Sequence, residues 1–216
     1  MLREPFKIQG ENFWLSHERT IFWEEEKALI ISDLHFGKTG HFRKSGIGVP
    51  QDVFKEDLHR LVNQIVHFRA EKIIIVGDLF HSNANKELEL FVKWRKDFNH
   101  IRFILVKGNH DILENRYYEA AGIEIFNSLT IRNFYFCHDP EEAVDIKDNY
   151  LFSGHIHPAV TLSGPGKQSL RFPCFYFSSN SCILPAFSKF TGCVSLKPDN
   201  GGKIIAIVKN ELVPLN

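Results

Sequence analysis

The sequence predicts an α/β chain in which two β-sheets pack face to face with helices outside, a four-layer α/β/β/α sandwich. Three observations lead there. The front half alternates short apolar runs with amphipathic stretches of helical period. The back half, beyond Gly122, reads almost wholly as strands broken by turns such as GPG and DNGG. Hydrophobic residues make up 44% of 216, enough to bury a core without disulfides or a structural metal. No repeat, low-complexity tract or Gly/Ser linker divides the chain, so residues 1–216 are read as one domain.

In order, FKIQ, NFWLS and TIFWE alternate loosely and suggest short antiparallel strands. ALIIS (28–32) is continuously apolar, as a strand covered on both faces would be. Over 52–68, Phe54, Leu58, Leu61, Ile65 and Phe68 recur at helical spacing, Val62 and Val66 widen the stripe, and Asp52 can cap its start. KIIIV (72–76) is a second buried strand, 86–98 a second helix, IRFILV (101–106) a third buried strand, and 113–121 a short helix stopped by Gly122. TIRNFYFC, NYLFSG, AVTLSG, LRFPCFYFS, CILPAF, TGCVSL and KIIAIV follow as strands. Trp14, Trp23 and Trp94 are assigned to core or interface.

Charge narrows little. Twenty-six basic and 26 acidic residues cancel, so any contact with a polyanion must come from a local patch. The N-terminal MLREPFKIQGENFW lacks the apolar stretch of a signal peptide, and no run approaches the roughly 20 residues of a membrane span. Cys137, Cys174, Cys182 and Cys193 form no CxxC pair and read as free thiols in a reducing compartment. These features place the protein in the cytoplasm, away from membranes.

The chemistry lies at the strand ends. ALIIS runs into Asp33-Leu34-His35, KIIIV into Gly77-Asp78, and IRFILV into Gly108-Asn109-His110-Asp111. FYFC runs into His138-Asp139, and YLFS into Gly154-His155-Ile156-His157. In open α/β sheets, sites form beyond the carboxyl ends of strands. Each piece alone is an ordinary turn, but five in sequence, each behind an apolar strand, are not. The aspartates, asparagine and histidines are hard and borderline ligands without a thiolate, suited to Mn²⁺, Fe or Zn²⁺. They are too many for one tetrahedral ion and fit two ions about 3.5–4 Å apart. Glycine before Asp78, Asn109 and His155 permits close backbone approach.

DLH, GDLFH, GNHD, the later His138 and GHIH together resemble the signature of the calcineurin-like metallophosphoesterases, in that family's order and over residues 33–157. SDLHFGKTGHFRKSGIGVP, GDLFHS, GHIHPAV and LPAFSKFTG are similar to the DNA-ligase-associated branch. The resemblance implies the same sandwich and two divalent ions, Mn²⁺ foremost with Fe or Zn²⁺ as alternatives. It implies that Asp33, His35, Asp78 and His157 hold one ion. Asp78 would bridge to the second, completed by Asn109, His138 and His155. Cys137 stands where the family often has glycine. The implied activity is metal-dependent cleavage of phosphodiester bonds in DNA. The implied partners are DNA itself and repair proteins such as a DNA ligase or helicase.

His110, beside a ligand but not one itself, is the expected general acid, with Asp111 orienting or charging it. GKT (37–39) is not a phosphate-binding P-loop, because Ser32 stands where that motif needs glycine. Lys38, Arg43 and Lys44, interleaved with His41 and Phe42, are expected to meet a nucleic-acid backbone, and His81 to touch substrate. A phosphomonoesterase, or a nucleotide or small-diester hydrolase, would use the same ligands and is the alternative activity. A non-catalytic scaffold would be expected to have lost ligands, and none is missing here. The exposed helix faces and the N-terminal strands are candidates for a homodimer contact.

Overall fold

Alternation along three central strands divides the molecule into two cores. In the computed structural model, residues 3–37, 52–80, 86–144, 146, 148–164, 166, 168–197 and 201–215 are described. The first sheet has seven strands in chain order. These are β1 (Arg3–Ile8), β2 (Glu11–Ser16), β3 (Thr20–Trp23), β4 (Ala28–Ile31), β5 (Lys72–Val76), β6 (Arg102–Val106) and β7 (Ile123–Phe126). The first four are antiparallel and the last four parallel. The β1–β2 hairpin turns on Gln9 and Gly10, both at positive φ, as the twist of a two-residue loop requires.

Helices α1 (Asp52–Phe68), α2 (Lys86–Asp97) and α3 (Asn115–Ala120) fill the parallel crossovers. Leu29, Ile31, Ile73, Ile75, Phe103 and Leu105 face them, against Phe54, Leu58, Leu61, Ile65, Phe68 and Phe91. The intervening Ala28, Ile30, Ile74, Val76 and Val106 face the second sheet. That period of two explains why these strands read as continuous apolar runs. Val66 does not widen the helical stripe; it is 65% exposed, one residue past the buried Ile65 and so turned about 100° from it. The expected cap, the side chain of Asp52, lies outside the described atoms.

The second sheet holds β8 (Leu129–Ile131), β9 (Phe134–Phe136), β10 (Tyr150–Ser153), β11 (Pro158–Ser163), β12 (Ser169–Phe177), β13 (Ser181–Ile183), β14 (Val194–Ser195), β15 (Lys203–Val208) and β16 (Glu211–Leu215). Its path runs β14-β11-β12-β13-β10-β9-β8, with β15 on β12 and β16 on β15. The stretch read as one strand, TIRNFYFC, is the β8–β9 hairpin, reversed where Arg132 adopts φ 52°. Phe134, Phe136, Phe152, Phe175 and Phe177 fill the inter-sheet core around the fully buried Trp23, while Trp14 and Trp94 pack on the helix-side core. On its outer face, the second sheet carries a small cluster around Cys174, Tyr176 and Ile204; among the described residues the three α-helices cover the first sheet. All four cysteines are free.

Candidate metal centre

The parallel pairing of β4 and β5 continues past both strands. Asp33 N donates to Gly77 O (3.1 Å), His35 N to Asp78 O (2.8 Å) and Phe36 N to Leu79 O (2.9 Å). The DLH and GDL segments therefore advance side by side out of the sheet. From the other sheet, Gly154 N donates to His138 O (3.0 Å), tying the β10 exit to the β9 exit. Both sheets thus deliver their polar strand ends to one edge.

Asp33, His35, Asp78, His155 and His157 all have φ between 50° and 65°. Non-glycine residues avoid this region at roughly 1–2 kcal/mol each, and such strain gathers where side-chain aim matters. Three glycines make the convergence sterically feasible: a Cβ on Gly154 would lie 2.7 Å from Asp33 Oδ2, and Gly77 and Gly108 are tighter still. A Cβ on Gly77, itself at φ 81°, would lie 1.9 Å from His138 Nδ1. One on Gly108 would lie 2.2 Å from Asp78 Oδ1 and 2.7 Å from the Asp78 main-chain nitrogen.

Two groups of three potential ligands result, Asp33–His35–His157 and Asp33–Asp78–His138, each with its donor atoms within 4.8 Å of one another. In the first, His157 Nε2 lies 3.0 Å from Asp33 Oδ1 and 3.3 Å from His35 Nε2. In the second, His138 Nε2 lies 3.5 Å from Asp78 Oδ1 and 4.0 Å from Asp33 Oδ1. Asp33 belongs to both, and Asp78 also reaches across, its Oδ2 being 3.9 Å from His35 Nε2. His155 stands at the rim of the second group, its ring 5.2 Å from that of His138, with Nδ1 3.2 Å from Asn109 Oδ1.

The ligands are oriented from behind. His138 Nδ1–H donates to Val76 O (3.0 Å), which turns Nε2 inward. His157 Nδ1–H donates to Gly192 O (3.0 Å), with Thr191 Oγ1 at 3.3 Å, again aiming Nε2 at the centre. His155 Nε2 faces Asp139 Oδ2 at 3.7 Å, leaving Nδ1 for the site. Thr191 and Gly192 were not singled out from the sequence, and Asp139 was seen only as part of its strand end, where its Oδ1 also accepts from Glu141 N. A carboxylate directly after His138 was the one available signal, and the His157–Gly192 pairing spans 35 residues.

Burial pushes the Asp78 carboxyl up. The nearby His138 imidazole, 3.5 Å away, and the His110 N–H outweigh it and hold Asp78 down at about 2. Burial likewise opposes charge on His138, yet Asp78 and Asp33 lift it to about 9. A positive charge is thus favoured between these carboxylates. Asp33 Oδ1 and His138 Nε2 are buried, and their contacts with His157 and Asp78 lack hydrogen-bond alignment. Such orphaned atoms are costly unless something else completes them. Aimed carboxylate and imidazole donors with unused lone pairs fit divalent cations of the Mn²⁺, Fe or Zn²⁺ kind.

His110 lies over the first group, its ring 5.5 Å from that of His35 and its Nε2 4.0 Å from Asp78 Oδ2. Its side chain is 42% exposed, open to a substrate. Asp111 does not orient that ring. Its Oδ1 accepts from Phe80 N (3.1 Å) and its Oδ2 from Gly108 N (3.0 Å), with Tyr118 Oη at 3.5 Å. It braces two ligand loops against each other, and burial raises its carboxyl to about 6 despite those N–H bonds. Lys38, Arg43, Lys44 and His81 lie outside the described residues.

Comparison with known proteins agrees with this geometry. The family model described as calcineurin-like phosphoesterase matches residues 26–174. Pseudomonas putida nuclease MPE, a solved structure, is similar at 26% identity with a TM-score of 0.84, over 99% of this chain and 100% of that one. The E. coli phosphoesterase Yfce is 12% identical over 86% of this chain and 96% of its own, with a TM-score of 0.44. No curated protein matches.

Proposed function

This chain belongs to the calcineurin-like phosphoesterase family, and from that premise we propose that it is a two-metal phosphodiesterase that cleaves DNA. The observation that carries the reading is the full-length likeness, at 26% identity, to a protein described as a nuclease. The two ligand groups joined through Asp33 are the chemistry such an activity needs.

Asp33, His35, Asp78 and His157 would hold one ion, and Asp78, Asn109, His138 and His155 the other, with Asp33 also in reach of the second. Bound there, the ions would supply positive charge against the phosphate and lower the pKa of a water, with Mn²⁺ the first candidate. The remaining work falls to the chain. His110 protonates the leaving oxygen from Nε2, held beside the shared carboxylate by its own N–H bond to Asp78 Oδ1 (2.9 Å). Asp111 fixes the Gly108 turn that carries Asn109 and His110. Lys38, Arg43, Lys44 and His81 are proposed substrate contacts. A cytoplasmic role in DNA repair, beside proteins such as a ligase or helicase, and as a homodimer, is the setting in which this activity fits.

The test is hydrolysis of bis-p-nitrophenyl phosphate and p-nitrophenyl phosphate by chelator-stripped protein resupplied with Mn²⁺. Diester cleavage that exceeds monoester cleavage and disappears in His155→Ala is the expected result. Strong monoester hydrolysis with little diester hydrolysis would assign the site to phosphomonoesters and sink the nuclease reading.

A further inference from the structure

A cleft of about 50 Å³ adjoins the centre, with Arg19, His157, Lys189, Thr191 and Cys193 in its wall. Arg19 occupies the turn between β2 and β3, at φ 65°. Its Nη1 donates to Ala186 O (3.0 Å) and Ser188 O (2.7 Å), which fixes the plane of the guanidinium. Among the described residues no carboxylate stands within ion-pair distance of it, and Nε and Nη2 donate to nothing. The neighbouring cations are matched: Lys189 with Glu56 at 2.7 Å, and Arg60 with Asp57 and Glu18, each at 2.7 Å. Burial, and then the charge of Arg60, lower the Arg19 pKa to about 10.

A half-buried guanidinium pinned by two carbonyls, with no anion in contact among the described residues, has its remaining donors open to an anion from outside. The cleft is of a size to take a phosphate. One wall is His157, together with the Thr191 and Gly192 that hold its outer nitrogen, so an occupant is separated from the centre by the width of that ring. We propose that Arg19 binds a second phosphate, the one flanking the scissile phosphate in the same nucleic-acid strand. Arg19 would thereby favour internal bonds of a strand over isolated diesters. The inference rests on the phosphodiesterase reading above.

Tetrathymidylate isolates the effect, because its central phosphodiester has one phosphate on each side. An analogue with both flanking phosphates replaced by neutral methylphosphonates has none that are charged. Mn²⁺-loaded protein is expected to show a KM for the native tetramer about tenfold below that for the analogue, the order of one charge-assisted contact. Arg19→Met should erase that preference, acting on KM far more than kcat, and Arg19→Lys should restore part of it. A brace that merely holds the 186–188 loop would lower cleavage of both tetramers alike, and that result overturns the proposal. So does a wild-type preference that survives in Arg19→Met. Cleavage of bis-p-nitrophenyl phosphate without any cleavage of tetrathymidylate overturns the Arg19 proposal and leaves diester chemistry standing. Cleavage of neither ends both readings.

Discussion

At the scale of single residues, Gly77 has the least room of the described glycines. A methyl group there would overlap the His138 ring and must also sit at φ 81°. Gly77→Ala is expected to destabilise the metal-free protein by about 1–3 kcal/mol and to weaken metal binding, since relief requires moving a ligand. Urea unfolding and metal titration check both, and a variant as stable and as tightly loaded as the parent would refute the close packing. His110 invites a different experiment. If it protonates the leaving oxygen, His110→Ala should slow an alkyl-leaving-group diester by about 10²–10⁴-fold. It should slow a p-nitrophenyl diester much less, because p-nitrophenolate leaves without a proton. Equal losses on the two substrates would remove the acid role.

At the scale of elements, the segment between β13 and β14 acts as a strap across the centre. Leu184 N bonds to Ser153 O (2.8 Å), Phe187 N to Ser32 O (2.8 Å) and Ser188 N to Asp33 O (3.2 Å). Arg60 of α1 donates to Phe187 O (3.0 Å) and lies over the Phe187 ring, 4.3 Å from its centroid. Arg60→Met would leave Asp57, 2% exposed, without its cation. A loss of about 3–5 kcal/mol is expected, read by denaturant unfolding. This strap shows where sequence reading reaches its limit. LPAF shows no chemistry in the sequence, because the Phe187 and Ser188 main-chain bonds reach Ser32 and Asp33, far away in the chain. The strand-end clusters were legible because each follows an apolar run within a few residues. Strand β7 was missed for lack of pattern: IEIF is four residues long with one fully buried side chain. Asp111 stands beside His110 in the chain, but its carboxylate accepts from Phe80 N and Gly108 N, pairings that adjacency does not reveal.

For the whole molecule, the first sheet is common property. Its β4–β6 strands send one set of side chains to the helix-side core and the alternate set to the inter-sheet core. Neither core can be lost without stripping the shared strands, so thermal unfolding of the metal-free chain is expected as a single transition, with calorimetric and van't Hoff enthalpies in agreement. Two separated transitions would divide the chain where the sequence shows no boundary. Metal should act on the same equilibrium. Ions that bind only the folded edge add about 2.7 kcal/mol at a concentration 100 times their dissociation constant. Chelator should therefore lower the melting temperature, and His138→Ala should blunt that response.

Asp33 stands in both ligand groups, and that has a consequence for supply. Two ions drawing on one carboxylate cannot load independently. The first to arrive takes much of the negative charge available, since Asp33 and Asp78 are the only carboxylates in the two groups. The second then meets a site already partly neutralised and binds less tightly. Occupancy would rise in two separate steps as metal concentration increases, with a singly loaded form persisting between them. If catalysis needs both ions, turnover would follow the second step alone, making the protein responsive to metal scarcity well before the first ion is lost.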